Sequence, residues 1–409
     1  MLNSLPMIEI EGKELKNCPI CLQGNFRNAL DLPNYPITEY FGSEKIRATN
    51  VEIGYDQELK ICLNCSHVYL GSQLPPELIY TLDYQTIASF SAPAQLATLR
   101  FMNSINEFIE IKNFELVMDI GANDGSFLRQ LNQIGFKGAK YAIDPSFTSW
   151  DADVNGFTTF VENFDFQQLP NFTRKLFVAS HVLEHIASPK ILIEKLSKYA
   201  SKDDLIVLQF PAIEPLVDES RFDQIHHQHF HYFSYISFCK LLESSDLQIV
   251  KSVIDWQHYG AAVVFLSKVE SRLNVEPNRN EWKNLSNRVA VSENSISASY
   301  STFTNHIDFI RRQLRDSEWI SIGAGLMSPI IFYHIQGVWE NCVGIYDENL
   351  AKHGKRYANT PCVIDPFPEL PKAQIGLLTG SVSRLAGRKL LPKASLMNLD
   401  KILIPVTTM

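Results

Sequence analysis

The stretch Val117-Met118-Asp119-Ile120-Gly121-Ala122-Asn123-Asp124-Gly125 is an apolar run that stops at two glycines four positions apart. An apolar strand feeding a glycine turn and then a helix leaves few folds open. It belongs in a parallel sheet covered by helices, with any ligand at the carboxyl edge of the strands. The alternation that follows agrees. Strands are expected at Leu116–Ile120, Lys140–Ile143, Lys175–Ser180 and Leu205–Phe210, and helices at Ser126–Ile134 and Pro189–Tyr199. Residues 270–317 are polar and helical in pattern, and the alternation then restarts. Strands are expected at Trp319–Ile322, Cys342–Tyr346, Gln374–Leu378 and Lys401–Val406, with a helix at Leu326–Gln336. The fold class is therefore α/β, with a second, smaller α/β unit after the first. The chain's 409 residues are too many for one ordinary core. The expected domains are 1–75, 76–300 and 301–409.

The turn itself carries chemistry. Asp119, Gly121, Asn123, Asp124 and Gly125 form a D-x-G-x-x-x-G loop, and the next strand ends at Asp144, 23 residues beyond Gly121. Glycine lets the backbone approach a ligand closely, and an acid at that strand end can accept from ribose hydroxyls. A pyrophosphate would be repelled by an Asp inside the loop. An ammonium group would pair with it, which favours S-adenosylmethionine over a nicotinamide dinucleotide. His181 and His185 follow the strand ending at Ser180, in His181-Val182-Leu183-Glu184-His185, and are placed to shape the same pocket. A plain structural turn is the bland alternative. The later turn Gly323-Ala324-Gly325 with Asp347 imitates a second nucleotide site, with Lys352, Lys355 and Arg356 as a small basic group able to meet a diphosphate.

Four of the seven cysteines fall in two pairs, Cys18/Cys21 and Cys62/Cys65, with 40 residues between the pairs. Two C-x2-C turns supply four thiolates, the ligand set of a closed, structural Zn2+ site. Residues 1–75 lack long periodic segments, as suits a small module that needs such a staple. His67 could replace one cysteine, but packing is the simpler role. Cys239, Cys342 and Cys362 are isolated and read as buried thiols.

The segment Phe222-Asp223-Gln224-Ile225-His226-His227-Gln228-His229-Phe230-His231-Tyr232-Phe233 holds four of the 11 histidines. Imidazoles move protons near neutrality. General base work is the leading reading. A metal site is a second: strand alternation would put His227, His229 and His231 on one side. Satisfied packing histidines are a third.

The formal net charge is −8, so nonspecific phosphate gripping, and with it nucleic acid as a partner, is excluded. No apolar run reaches the ~18–20 residues that cross a bilayer, and no membrane partner is expected. Met1-Leu2-Asn3-Ser4-Leu5-Pro6 has no signal-peptide pattern, so the cytoplasm is the expected compartment.

Taken together, CPIC and ICLNC, DIGANDG, SHVLEHI, FDQIHHQHFHYFS and SIGAG…YDENLAKHGKR make the chain resemble the nucleotide-sugar C-methyltransferase family over nearly its whole length. The resemblance implies an N-terminal zinc module, a central class I methyltransferase domain and a C-terminal Rossmann-like domain that holds the nucleotide of the substrate. It implies S-adenosylmethionine as methyl donor and a 4-keto-deoxyhexose on a nucleoside diphosphate as acceptor. By that match His229 is the base that removes the C3 proton, His227 belongs to the active-site string, and Tyr84 is an active-site tyrosine. The family string is close to D-T-I-Y-H-E-H-F-S-Y-F-S. This chain has His226 for the tyrosine and Gln228 for the glutamate. His226 could donate an N–H to an oxyanion in the phenol's place. The departures keep O- or N-methylation, or a scaffold that retains only the fold, as alternatives. A nicotinamide enzyme using the second glycine turn is a further one. A monomer or weak homo-oligomer is expected.

Overall fold

The computed structural model describes residues 12–38, 54–75, 88–147, 149–273, 280–357, 360, 362–380 and 383–406. Tyr84 lies outside the described residues.

The N-terminal module is built from β1 (Lys13–Glu14), β2 (Phe26–Pro36), β3 (Gly54–Cys62), β4 (Val68–Leu70) and β5 (Ser72–Gln73). The two C-x2-C turns sit at the starts of β2 and β4, so the sheet register brings them together. Cys62 closes β3 opposite Phe26.

The central domain contributes β6 (Leu116–Ile120), β7 (Ala139–Ile143), β8 (Val154–Phe157), β9 (Lys175–Ser180), β10 (Leu205–Pro211), β11 (His231–Tyr232), β12 (Leu247–Asp255) and β13 (Ala261–Lys268). Seven of these form one sheet in the order β12-β13-β10-β9-β6-β7-β8. The strands from β10 to β8 are parallel, and β13 runs antiparallel to β10. Side chains alternate as a two-faced sheet requires. Leu116, Met118 and Ile120 enter one core with Phe177, Ile206 and Leu208, while Val117 enters the opposite core with Val178, Val207 and Phe101. Each such buried side chain contributes roughly 1.5–3 kcal/mol of burial free energy. β13 lies between β10 and β12, because Leu247–Asp255 supplies a further strand outside it.

The C-terminal unit is a five-stranded, all-parallel sheet of β14 (Trp319–Ile322), β15 (Cys342–Tyr346), β16 (Ile364–Asp365), β17 (Ile375–Leu377) and β18 (Lys401–Leu403), in the order β16-β15-β14-β17-β18. The strand order turns back at β14, and such reversals place ligands at the strand ends. The second α/β unit expected from the alternation is therefore present.

The helix Glu293–Leu314, capped by Ser292 and Ser295, runs straight through the expected 300/301 boundary. Its Ile296, Phe303 and Ile307 pack with Leu30, Leu32 and Tyr35 of β2 and with Trp319 and Ile345 of the C-terminal sheet. The module is likewise not a separate bead. β11, from the middle of the histidine segment, joins its sheet as the outer strand in the order β11-β4-β3-β2. His231 pairs with Tyr69 and Tyr232 with Val68. Among the described residues no helix is long and apolar enough to cross a membrane.

Candidate active site

The glycine turn after β6 has the strained backbone its sequence demands. Gly121 has φ +70, Gly125 φ +77, and Asn123 adopts φ +51 without being glycine. A Cβ at Gly121 would overlap the Val182 side chain, so only glycine fits between the two loops. Asp144, at the end of β7, caps the turn. Its Oδ2 accepts from the Asn123 N–H at 2.9 Å and its Oδ1 from the Ser146 N–H at 2.8 Å. Asp124 turns away to Arg129, 2.7 Å, and Ser126, 2.6 Å. Burial pushes Asp124 up, but Ser126, Ser89 and Arg129 outweigh it and hold the carboxyl below its usual range. Asp119 is fully buried, and burial, then repulsion from Asp144 and Asp124, raises it well above the ordinary carboxylate range. A bound cation would relieve that repulsion.

A cavity of about 400 Å³ opens over this turn and is closed on the far side by the C-terminal unit. Asp119, Gly121, Asn123, His181, His226 and His229 line it. Asp124, Gly125, Asp144 and His227 are not among its lining residues. Asp124 is committed to Arg129, and Asp144 serves the turn through its two amide bonds. The opposite wall comes from Gly323, Gly325, Asp347, Asn349 and Lys352. There the second glycine turn repeats the first: Gly323 has φ +82, and Asp347 Oδ2 accepts from the Ala324 N–H at 2.7 Å. Of the expected basic group, Lys352 lines the cavity and donates to the Ala324 carbonyl at 2.7 Å; Lys355 and Arg356 are not among the lining residues.

The histidine segment is not the strand whose alternation would have gathered His227, His229 and His231. Residues 222–224 form a 3-10 turn, and the strand is confined to His231–Tyr232, with Phe233 bridged to Ala212. The four imidazoles therefore part company. His227 turns to the module, its Nε2–H donating to the Tyr35 carbonyl at 2.9 Å, with Nδ1 3.3 Å from Gln57 Nε2. His231 Nε2–H donates to the Ile186 carbonyl at 2.8 Å, and Nδ1 lies 3.1 Å from Nε2 of the fully buried His67. His226 and His229 stay together, ring centroids 3.9 Å apart, with the His185 ring 4.8 Å from that of His229. Burial lowers His226 to about 3 and holds His229 well below the usual imidazole value. Both are neutral at pH 7, and burial makes each a weaker base than a free imidazole.

Spacing alone did not point to two further groups, Glu184 and Gln209. Glu184, fully buried, places Oε1 2.9 Å from His181 Nδ1 and 3.9 Å from His229 Nε2. His258 stands edge-on to His181, centroids 4.9 Å apart. Gln209, near the end of β10, has its Oε1 held by Ser180 Oγ–H at 2.8 Å, while its Nε2 is buried with no partner among the described residues. The signal for Gln209 in the sequence was a single polar residue inside an otherwise apolar strand. Buried polar atoms without partners are rare in folded proteins and mark places a ligand completes. His181 Nε2, Glu184 Oε2, His226 Nε2 and His229 Nδ1 share that condition.

Away from the cavity, the four cysteine sulfurs lie within 4.8 Å of one another. Cys18 Sγ is 3.6 Å from Cys65 Sγ, and Cys21 Sγ is 3.4 Å from Cys62 Sγ. Tetrahedral zinc with Zn–S bonds of ~2.3 Å sets its sulfurs ~3.8 Å apart. The two turns match each other: Leu22 N–H bonds the Cys18 carbonyl and Ser66 N–H the Cys62 carbonyl, both at 2.9 Å. Leu22 and Ser66 are also both left-handed, φ +61 and +55. The donor set and its geometry fit a metal ion.

Residues 96–252 match a family described as "Methyltransferase domain", inside the central unit. The C-methyltransferase NovU of Streptomyces niveus is 22% identical over 271 residues, which are 65% of this chain and 64% of that protein. The chain thus spans just under two thirds of that relative's length. Among solved structures, the plantazolicin methyltransferase BpumL in complex with SAH aligns with 14% identity and a TM-score of 0.37, over 47% of this chain and 93% of that one. The magnesium protoporphyrin IX methyltransferase of Synechocystis PCC 6803 aligns with 14% identity and a TM-score of 0.31, over 42% and 79%. Residues 96–252 of the chain thus form a methyltransferase domain.

Proposed function

We propose that the protein methylates a carbon of a keto-deoxysugar carried on a nucleoside diphosphate. The observation that carries this reading is the shared cavity: two glycine turns, from two separate sheets, face one space, with His229 on its wall and the buried Glu184 3.9 Å behind it. One turn suits the cofactor, and the second suits the nucleotide of the acceptor, leaving the sugar between them. S-adenosylmethionine, when bound, supplies an electrophilic methyl group.

The chain's own residues do the rest. Asp119 and the amides of the Gly121–Asn123 turn bind and orient the cofactor. His229 takes the proton of the carbon next to the ketone. Its Nε2 faces the buried Glu184 side chain at 3.9 Å, so Nδ1, which has no partner among the described residues, is the accepting nitrogen. Glu184 steadies the imidazolium that forms, which offsets the loss of basicity caused by burial. Cys18, Cys21, Cys62 and Cys65 hold a structural Zn2+ that fixes the module against which the histidine segment is paired. The cytoplasm is the compartment in which free thiols and a sugar-nucleotide acceptor would coexist.

The test is methyl transfer from S-adenosylmethionine to a panel of nucleoside diphosphate sugars, keto and non-keto, read by mass spectrometry and by NMR of the product. A methyl on carbon, lost on His229→Ala with S-adenosylhomocysteine affinity kept, is the expected result. A methyl on oxygen would favour the O-methyltransferase reading, and cofactor binding without turnover would favour a scaffold. Full activity in His229→Ala would remove it as the base.

A further inference from the structure

Gln228 is the meeting point of two domains. Its Oε1 lies 2.6 Å from Thr38 Oγ1 of the N-terminal module and 2.9 Å from His226 Nδ1, and its main-chain oxygen accepts from His185 Nδ1 at 2.7 Å. All three side chains that meet at Oε1 are buried, with Thr38 and Gln228 2% exposed and His226 1%. A carbonyl oxygen can only accept. Both neighbours must therefore donate to it, and the His226 proton is on Nδ1. Nε2, at the other edge of the ring, then holds a bare lone pair. That atom is buried, has no partner among the described residues, and belongs to a residue that lines the cavity beside His229.

We propose that Thr38 and Gln228 are positioning residues that lock His226 with its proton on Nδ1 and an accepting Nε2 toward the acceptor site. The proposal rests on the reading of the cavity as that site. Its consequence is specific. His226 cannot lend an N–H to an oxyanion from Nε2. What it meets there is a donor, a hydroxyl or N–H of the acceptor. The exchange of a phenol and a carboxylate for His226 and Gln228 thus turns a donating wall into an accepting one. The lock comes from the cysteine module, through Thr38, so that module is part of the active-site machinery as well as a staple.

The test is nitrogen NMR on the full chain with 15N-labelled histidine, saturated with S-adenosylhomocysteine. The His226 signals are identified by their absence in His226→Gln. Nδ1 should appear as N–H and Nε2 as unprotonated, unchanged between about pH 6 and 9. Gln228→Leu should shift the tautomer ratio about tenfold or more toward Nε2–H, since the only acceptor at Nδ1 is gone. Gln228→Glu should keep the Nδ1–H signal. Thr38→Val removes the module's bond to the Gln228 amide and should give a mixture.

A protonated Nε2 in the wild type overturns the assignment, and so does a Gln228→Leu spectrum identical to the wild type. If Gln228→Leu does not fold, Gln228→Glu decides in its place: loss of Nδ1–H there overturns the lock. An unchanged tautomer in Thr38→Val overturns the module's part. No methyl acceptor is needed, so failure of the lock and failure of the proposed methyl transfer read out separately.

Discussion

Thr38 Oγ1 donates to Gln228 Oε1 at 2.6 Å across 190 residues of chain. The bond joins the first module to the wall of a cavity built by the other two units. It is one of several ties between them. Tyr35 O–H donates to the Ile225 carbonyl at 2.8 Å, and β11 extends the module's sheet. The cysteine module, the methyltransferase domain and the histidine segment therefore act as one body, and most of the expectations below follow from that.

The first concerns the cofactor turn. Gly121 combines a left-handed φ with contact against Val182. Gly121→Ala pays the left-handed strain of ~1–2 kcal/mol and must also displace a neighbour. S-adenosylhomocysteine affinity, measured by calorimetry, should fall at least about tenfold. An unchanged affinity would place the cofactor elsewhere.

The cysteine cluster should hold about one metal ion per chain, as a closed four-thiolate site does. Cys65→Ser should lose it and lower the melting temperature. Activity should fall in parallel, because β4 is the strand that carries β11. Elemental analysis with thermal melts checks this. Metal loss with activity intact would detach the module from the site.

Because His226 presents an acceptor, the oxyanion of the proposed reaction needs another donor. Gln209 Nε2 is such a donor: buried, unpartnered, lining the cavity and aimed by Ser180. Gln209→Leu should lower kcat by roughly 10²–10³ with little change in cofactor affinity, the range seen when one oxyanion donor is removed. A change confined to KM would mean that Gln209 only helps to bind the acceptor.

Acid should unfold the protein steeply. Burial holds His226 at about 3, His227 at about 4, His231 at about 4 and His334 at about 3. Unfolded histidines titrate near ~6.5. The folded values are depressed, so this stability is present above ~6.5 and is lost as pH falls toward 4. Each histidine costs up to ~1.4 kcal/mol per pH unit in that window, or ~5 kcal/mol per unit for the four. Urea unfolding at about pH 7 and 5.5 should differ by several kcal/mol. A flat profile would mean that these rings reach water.

Much of the fold was legible in the chain. Leu116–Ile120, Lys175–Ser180, Pro189–Tyr199, Trp319–Ile322 and Cys342–Tyr346 appear with the expected bounds, because apolar runs between turn residues report local backbone preference directly. So does Gly121, since a positive φ next to a packed side chain admits nothing else. The pairing of the two C-x2-C turns was equally plain, as spacing is itself the ligand geometry.

Only the tertiary structure decided what the polar residues do. His226, His227, His229 and His231 are near neighbours in sequence, yet they face the cavity, the module, the cavity and a buried His67. Asp124 and Asp144 looked like ligand groups and instead bind Arg129 and turn amides. Gln209 sits inside an expected apolar strand, and its Nε2 is a buried donor with no partner among the described residues. The reason is physical. An apolar residue needs only to leave water, which local pattern predicts. A polar residue's role depends on which partner lies within about 3 Å, and that is set by segments far away in the chain.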